Sequence, residues 1–198
     1  AAQSLGARLI QISTDAVLGD SDARAYTEHD EPQPINAYGR TKLAGERAAR
    51  SSEDNLVLRT TIFGWNTMRL KGSFGEWIHA TICGHEPATV FSDVKFSPIY
   101  IGLFADLLET AIEERLSGLF HLAGADGVSK EEFSREMARQ MALPDDNLTG
   151  GTLSDVSLRA RRARNMVLDS TAFAKECNVA VPGYRASISA FLADAPRR

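Results

Sequence analysis

A buried strand that ends in hydroxyl and carboxylate groups, followed by a helix with a tyrosine and a lysine, constrains this chain more than any other feature. The apolar run Leu9–Ile12 leads into a Ser-Thr-Asp triplet centred on Thr14, and further along Tyr38 and Lys42 stand four positions apart. Positions i and i+4 share one face of a helix, so the phenol and the ammonium can point into one cleft. A neighbouring ammonium favours an ionised phenol, which lets Tyr38 exchange a proton with an oxygen that Thr14 hydrogen-bonds. The pattern therefore predicts reduction of a carbonyl by a hydride donor.

The order of these motifs is more specific than the Tyr-x-x-x-Lys pair alone, which also arises by chance. The turn-rich stretch Glu28–Pro34 separates strand from helix, and the helix opens with Asn36–Lys42 and continues to Gly45 and Glu46. Together with Ile12–Asp15, these stretches resemble the extended short-chain dehydrogenase/reductases. Within that superfamily they are most similar to the dTDP-4-dehydrorhamnose reductases.

The resemblance implies an α/β fold with a Rossmann-like doubly wound parallel sheet and a small mixed α/β substrate domain. Of the sheet, this chain is expected to hold the C-terminal part only. Residues 1–64 and 97–124 are predicted to form the second half of the dinucleotide-binding domain. Residues 65–96 and 125–198 are predicted to form the sugar-nucleotide substrate-binding region.

The sequence contains no G-x-G-x-x-G turn for a dinucleotide phosphate. Measured against the family, about three βαβ units are missing before Ala1. We expect part of a longer protein, a deliberately shortened version, or a naturally shortened, non-catalytic relative. A chain that begins at Ala1 is predicted to bind neither NADH nor NADPH, because the diphosphate has no helix N-terminus to bind. A sheet cut at its middle strand exposes an apolar edge, which predicts a homodimer, a partner chain or a lost segment covering it.

The resemblance implies roles for residues at the strand ends and in the helix. The implied catalytic residues are Thr14, Tyr38 and Lys42. The residues implied to bind the cofactor, NADP or NAD, are Ser13, Tyr38, Lys42, Thr61 and Ile62. The residues implied to bind a nucleotide-sugar substrate are Thr14, Asp15 and Arg162.

A basic cluster supplies the last of these residues. It consists of Arg159, Arg161, Arg162 and Arg164. The segment resembles the Arg-Pro segment of the reductases, with Ala163 in place of the usual proline. An arginine fork suits a diphosphate because it makes paired, charge-assisted hydrogen bonds. A solvated face or salt bridges to the acidic excess would explain the cluster equally well.

The same Thr-Tyr-Lys set serves several reactions, so alternatives stay open. The first is NAD(P)H-dependent reduction of the C4 carbonyl of a nucleotide-linked 4-keto-6-deoxy sugar. An epimerase or a dehydratase would reuse the set, although Ala16 lacks the acidic group that a dehydratase usually has beside Asp15. The third is a non-catalytic protein similar to the regulatory subunit of methionine adenosyltransferase. Ala16 and Ile62 stand where rhamnose-type reductases favour aromatic residues, which leaves the sugar open.

Composition and residue spacing argue against nucleic-acid-binding, membrane-spanning, disulfide-rich and metal-binding proteins. A net charge of −4 and a pI near 5.6 argue against non-specific nucleic-acid binding. No stretch approaches the roughly 18 consecutive apolar residues of a membrane span. Cys83 and Cys177 are far apart and the four histidines lack an i,i+4 partner, so neither a disulfide framework nor a metal site is predicted. A cytoplasmic location is expected.

Hydrophobic periodicity and capping signals predict the remaining elements. Helices are predicted at 37–51, between 66 and 84, at 101–114 and at 184–193, and strands at 8–12, 55–62, 89–91 and 118–124. Asn36 is predicted as the N-cap of the first of these helices, and Ser129 with Glu132 as a capping box. His121 is interpreted as a core histidine, and residues 1–7 as the end of a helix.

Overall fold

A computed structural model describes residues 5–20, 24–66, 72–156 and 160–196. Its strands are β1 (Ile10–Ile12), β2 (Leu56–Arg59), β3 (Ile62–Phe63), β4 (Ala88–Phe91), β5 (Lys95–Phe96), β6 (Ile99–Tyr100), β7 (Gly118–His121), β8 (Val128–Ser129), β9 (Leu148–Gly151) and β10 (Asn165–Met166). Its helices are α1 (Ala37–Ala49), α2 (Phe74–Gly84), α3 (Ile101–Glu113), α4 (Lys130–Gln140), α5 (Thr171–Glu176) and α6 (Tyr184–Ala193).

A parallel sheet in the order β1-β2-β7 carries the first region. Leu56 of the middle strand lies between Ile10 and Gly118 in the register. All four residues of β2 are buried, and a strand covered on both faces has a continuous apolar run in its sequence. Phe104 and Leu107 of α3 belong to the same core cluster as Leu56. Burial of each large apolar side chain contributes about 1.5–3 kcal/mol.

A second region packs α2, α4 and α6 beside a short mixed sheet. In that sheet β5 pairs in parallel with β10 and antiparallel with β8, while β4 and β9 form a separate parallel pair. The core is aromatic: Phe63 meets Phe133 edge-on at 5.1 Å, and Trp65 stacks on Phe191 at 4.2 Å. Such pairs add about 0.5–1.5 kcal/mol each beyond their buried area. The predicted mixed α/β fold with a parallel sheet is confirmed, whereas the residue bounds of the two predicted domains stay a prediction.

The capping predictions are confirmed. The side chain of Asn36 accepts a hydrogen bond from the backbone N–H of Gly39 at 2.9 Å, and Ser129 and Glu132 form the reciprocal capping box of α4. The final helix has the predicted bounds. The first helix ends at Ala49, slightly before its predicted end.

The single strand predicted at 55–62 is wrong. β2 ends at Arg59, and β3 begins at Ile62 and pairs with β6 instead of β7. The chain changes partners between the two strands: the Thr60 carbonyl accepts from the N–H of Asp15, and the Thr61 carbonyl accepts from the N–H of Ile99. The helix predicted between 66 and 84 begins at Phe74, and residues 67–71 lie outside the described residues, as does most of the helix end predicted at 1–7.

Apolar side chains are exposed beside the first strand, and the expected apolar sheet edge stays a prediction. β1 is an edge strand within the described residues, and the neighbouring side chains of Leu5 and Leu9 are 80% and 37% exposed. What covers this edge stays a prediction. In the described part of the chain, no helix is long and apolar enough to cross a membrane.

Candidate active site

The first turn of α1 lies against the 3₁₀ turn Asp15–Val17 that follows β1. Gly39 permits this contact, because a Cβ at that position would lie 2.1 Å from the carbonyl oxygen of Ala16. The close approach brings Thr14 and Tyr38 into the wall of one cleft of about 410 Å³. The sequence predicts that Tyr38 and Lys42 open into one cleft that faces Thr14. Thr14 and Tyr38 line this cleft, whereas Lys42 is not among its lining residues.

The three predicted catalytic side chains differ in their surroundings. Thr14 is 7% exposed, whereas Tyr38 is 58% exposed. The Nζ atom of Lys42, one helical turn beyond Tyr38, donates to the carbonyl oxygen of Ile12 at 2.6 Å. An ammonium has three N–H donors, and this bond uses one of them at the end of β1. The structure brings the three residues to one end of β1, and their catalytic roles stay predictions.

Asp15 connects Thr14 to the end of β2. The hydroxyl of Thr14 donates to Oδ1 of Asp15 at 2.8 Å, and the hydroxyl of Thr61 donates to Oδ2 at 2.8 Å. Burial raises the pKa of Asp15, while the two hydroxyls and the Lys130 ammonium oppose this shift. The carboxyl predicted to bind substrate therefore also determines where the Thr14 hydroxyl points.

Ser13 faces the interior instead of the cleft. Its hydroxyl donates to Oε1 of Glu46 at 2.5 Å. The same carboxylate receives Nε of Arg59 at 3.0 Å and Nη2 at 2.8 Å, and the Glu46 and Arg59 residues are each 1% exposed. The predicted cofactor role of Ser13 stays a prediction, but its hydroxyl is already bonded to this pair. The sequence signal for the pair is weak, since a glutamate in a helix and an arginine at a strand end are normally solvated.

His121 is buried next to the Glu46–Arg59 pair, with its Nε2 atom 3.5 Å from Nη1 of Arg59. It is 0% exposed, its Nδ1 lies 3.1 Å from the carbonyl oxygen of Tyr26, and its backbone N–H donates to Glu28 at 2.8 Å. Burial lowers the pKa of His121, although Glu28 opposes the shift. The interpretation as a core histidine is confirmed.

Thr61 and Ile62, predicted to contact the cofactor, lie where β2 gives way to β3. The Thr61 hydroxyl is bonded to Asp15, and Ile62 is half-buried and pairs with Ile99. Neither lines the cleft described above, whereas Ala16 does. Contact of these residues with a cofactor stays a prediction.

Arginines of the predicted basic cluster also line the cleft. Arg161 and Arg162 line it together with Met166. Arg164 is engaged elsewhere, because its Nε lies 3.2 Å from the Asp93 carboxylate. Arg159 of the predicted cluster lies outside the described residues. Two arginines of the predicted cluster therefore line the cleft, where the carbonyl oxygen of Arg161 accepts from Nδ2 of Asn36 at 3.2 Å. The substrate role of Arg162 stays a prediction.

Lys130 is a further charged residue near the site that the sequence did not single out. Its ammonium lies 3.2 Å from the ring centroid of Phe96 and 4.0 Å from that of Phe74. Burial lowers the pKa of Lys130 to about 7, Asp15 opposes the shift and Arg162 adds to it. The only local signal is a lysine at the first position of a capped helix, where the helix dipole disfavours a cation.

The α/β architecture with its parallel sheet matches the Rossmann-like fold of solved dehydrogenases and reductases. The family model described as "RmlD substrate binding domain" matches residues 1–196. The chain therefore belongs to the RmlD substrate-binding domain family, and the resemblance to dTDP-4-dehydrorhamnose reductases is confirmed.

Three relatives illustrate the family. The chain is 30% identical over 164 residues to the probable low-salt glycan biosynthesis reductase Agl14 of Haloferax volcanii, covering 81% of this chain and 54% of that protein. It is 31% identical over 189 residues to methionine adenosyltransferase 2 subunit beta of Rattus norvegicus, covering 85% and 52%. It is 27% identical over 203 residues to dTDP-4-dehydrorhamnose reductase of Escherichia coli, covering 97% and 67%. The chain thus spans about half the length of the first two relatives.

A solved structure gives the same fold. The dTDP-4-dehydrorhamnose reductase of Bacillus anthracis, in complex with NADP, matches with a TM-score of 0.88 at 21% identity, covering 98% of this chain and 68% of that one. At this identity the likeness establishes the fold. Among the described residues, no group of three or more His, Cys, Asp or Glu side chains could hold a metal ion.

Proposed function

We propose that this chain supplies the substrate cleft and the proton-transfer residues of an NAD(P)H-dependent reductase. The substrate is a nucleotide-linked 4-keto-6-deoxy sugar, as in dTDP-4-dehydrorhamnose reductases. One observation carries the proposal: Thr14 and Tyr38 line the same cleft as Arg161 and Arg162. A hydroxyl, a phenol and guanidinium groups around one cavity suit a carbonyl at one end of a ligand and a diphosphate at the other.

The residues beside Tyr38 suit a nicotinamide ribose. The Lys42 ammonium is bonded to the Ile12 carbonyl through one N–H, which leaves donors for ribose hydroxyls. Tyr38 lines the cleft and is 58% exposed. Lys42 and Tyr38 would hold the ribose, and the bound cofactor supplies the hydride that reduces C4 of the sugar.

Tyr38 provides the proton that completes the reduction. As hydride adds to C4, the carbonyl oxygen becomes an alkoxide, and the Tyr38 hydroxyl protonates it. The Lys42 ammonium stabilises the negative charge left on the phenol oxygen, which then regains a proton from water. One ketone, one hydride and one proton thus give one alcohol.

Thr14 orients the carbonyl, and Asp15 controls the direction of its hydroxyl. In the structure Thr14 donates to Asp15, so it cannot donate to substrate at the same time. The Thr14 hydroxyl therefore has to rotate away from Asp15 when a substrate carbonyl binds. The Thr14 proton is then free to bond the substrate oxygen.

The experiment replaces Tyr38 in the chain together with any segment that precedes it in the natural protein. Tyr38→Phe is expected to lower turnover of a dTDP-linked 4-keto-6-deoxy sugar by about 10²- to 10⁴-fold, measured as NADPH consumption, with NADPH binding preserved. Tyr184→Phe is the matched control, because no hydrogen bond joins the Tyr184 hydroxyl to the described residues. Undiminished turnover in Tyr38→Phe would remove Tyr38 from the mechanism.

An epimerase is the nearest alternative reaction, since it uses the same set of residues. Product analysis by NMR separates the two: reduction consumes NADPH and yields an alcohol, whereas epimerisation inverts a carbon without net consumption. The 31% identity with methionine adenosyltransferase 2 subunit beta favours a second function, that of a regulatory subunit. In that case Tyr38→Phe leaves the function intact, and the protein instead changes the kinetics of a methionine adenosyltransferase catalytic subunit.

A further inference from the structure

The side-chain amide of Asn36 links two distant parts of the chain. Its Oδ1 atom accepts from the backbone N–H of Gly39 at 2.9 Å, which caps α1. Its Nδ2 atom donates to the carbonyl oxygen of Arg161 at 3.2 Å, 125 positions further along the sequence. One side chain therefore connects the helix turn that carries Tyr38 with the arginine segment, which consists of residues 160–166.

Capping a helix does not by itself require an asparagine. The N-caps of α2 and α4 are Ser73 and Ser129, whose hydroxyls accept from the helix in the same way. Serine and asparagine stabilise a helix N-terminus to a similar extent. An amide also carries an N–H group beside its oxygen, and it extends one atom further from the backbone than a hydroxyl. At position 36 the asparagine therefore does what a serine cannot, because it caps α1 and also reaches the Arg161 carbonyl.

The two ends of the arginine segment are held by different side chains. At the far end, Oδ1 of Asp20 accepts from the N–H of Arg164 at 2.7 Å and from that of Asn165 at 3.3 Å. At the near end, in the part of the chain that the structure describes, the one hydrogen bond at Arg161 is that from Asn36. Loss of the Asn36 amide should therefore release the near end and leave the far end in place.

The near end of the arginine segment is part of the cleft. Arg161, Arg162 and Ala163 line the same cleft as Asn36 and Tyr38. The Asn36 amide thus joins two portions of one cleft wall. A ligand that contacts both portions loses less conformational entropy on binding when they are already held together.

We propose that Asn36 is a positioning residue, which holds the arginine segment against the first turn of α1 and thereby fixes the width of the cleft. This inference rests on the proposed function, and it adds a residue that acts through the cleft wall instead of on the reacting atoms. The cap keeps α1, and with it Tyr38 and Lys42, in place. The link to Arg161 should therefore contribute to substrate affinity and leave proton transfer unchanged.

Asn36→Ser separates the link from the cap, and is made in the chain together with any segment that precedes it in the natural protein. KM for a dTDP-linked 4-keto-6-deoxy sugar should rise about three- to tenfold, the range expected for one lost hydrogen bond, while kcat stays within about twofold. NADPH consumption measures both constants. Asn55→Ser is the matched control, because the amide of Asn55 also makes two hydrogen bonds, to Leu9 and to Ala49 at the other end of α1. Its loss should leave KM unchanged.

Trypsin provides a second measurement that requires no substrate. It cleaves after arginine, and a segment has to open locally before it is cut. Cleavage after Arg161 and Arg162, mapped by mass spectrometry, should be faster in Asn36→Ser than in wild type. Cleavage after Arg47, within α1, should be unchanged because the serine keeps the cap. Asn36→Ala loses both the cap and the link, and should be cut faster at all three sites.

Three outcomes would overturn this assignment of Asn36. They are equal cleavage after Arg161 and Arg162 in Asn36→Ser and wild type, an unchanged KM in Asn36→Ser, or the same rise in KM in Asn55→Ser. Faster cleavage in Asn36→Ser, with no sugar reduction by wild type, would instead remove the proposed function and leave the link between α1 and the arginine segment.

Discussion

The buried charges of Glu46 and Arg59 and the buried charge of Lys130 differ in how the protein compensates them. In the interior, Glu46 and Arg59 are each 1% exposed and share hydrogen bonds of 2.8 and 3.0 Å, with Ser13 bonded to the same carboxylate. Near the cleft wall, the Lys130 ammonium contacts the rings of Phe74 and Phe96, and no hydrogen bond joins it to a carboxylate among the described residues, although Asp15 attracts it. Both regions remove charge from water, but only the interior supplies a partner.

The charges of Glu46 and Arg59 position elements of the fold. Ser13 follows β1, Glu46 belongs to α1 and Arg59 ends β2, so their hydrogen bonds fix three elements whose junction holds Thr14 and Tyr38. A charge that is desolvated without a partner costs stability. The Lys130 ammonium therefore lowers the stability of the folded state, whereas the Glu46–Arg59 pair does not carry this cost.

The largest expected effect follows from breaking the interior pair. Glu46→Ala should lower the free energy of unfolding by about 3–5 kcal/mol, because it leaves the Arg59 guanidinium buried and unpaired. Urea unfolding followed by circular dichroism measures the change. Arg47→Ala, an exposed arginine on the same helix, is the control and should change stability by less than about 0.5 kcal/mol.

A double variant distinguishes pairing from packing. Glu46→Leu combined with Arg59→Leu removes both charges, and should be more stable than either single substitution because no uncompensated charge is left. If the double variant loses the sum of the two single losses, the pair does not act as a unit and the comparison with the cleft wall fails.

The same comparison explains what could be predicted from sequence. The α1 helix, its Asn36 cap and the Ser129 capping box follow from local signals, and the structure shows all of them. The Thr14–Tyr38 cleft was predicted because strand ends and helix faces have fixed directions. Local patterns therefore describe the elements and the residues at their ends.

Features that depend on distant partners were missed. The predicted strand at 55–62 breaks because Thr60 and Thr61 bond to residues in two other segments, which no local pattern records. Lys130 was not singled out, because Phe74 and Phe96, which contact its ammonium, lie in distant parts of the sequence. The hydrogen bond from Ser13 to Glu46 was not predicted, because the burial of Glu46 leaves no local signal.

The second prediction concerns Lys130. Its replacement should raise the free energy of unfolding, whereas replacement of Glu46 should lower it. The pKa of Lys130 is lowered to about 7, against about 10.4 in an unfolded chain. The folded state therefore binds fewer protons between these values, and stability rises with pH across this window. Lys130→Met should raise the free energy of unfolding by about 1–2 kcal/mol at pH 6, allowing for solvent screening at this half-buried side chain.

The gain in Lys130→Met should shrink as pH rises from 7 to 10, since wild type then loses the unfavourable charge. Urea unfolding at pH 6 and pH 9 measures this trend. Lys95→Met, which removes an exposed lysine, should show no such trend. A Lys130→Met variant that is less stable than wild type at pH 6 would show that the aromatic contacts more than compensate for burial.

The smallest expected effect concerns Glu136, near the end of α4, which is paired like Glu46 but with partners that are exposed to solvent. Glu136 accepts Arg139 at 2.6 and 2.8 Å and Gln140 at 2.9 Å, with Arg185 at 3.8 Å. Bonding to Arg139 lowers the pKa of Glu136 to about 2, with burial opposing. Because Arg139 is 69% exposed, solvent screens this cluster far more than the Glu46 pair.

The contribution of Glu136 should depend on pH in the direction opposite to that of Lys130. A carboxyl with a depressed pKa stabilises the fold fully above its unfolded value of about 4.3, and this stabilisation is lost as pH falls towards 2. Glu136→Gln should therefore cost about 1 kcal/mol at pH 6 and less at pH 3, measured by urea unfolding against Glu109→Gln, an exposed control. An equal loss at both pH values would assign the effect to hydrogen bonding alone. The charge of Glu136 would then contribute nothing to stability.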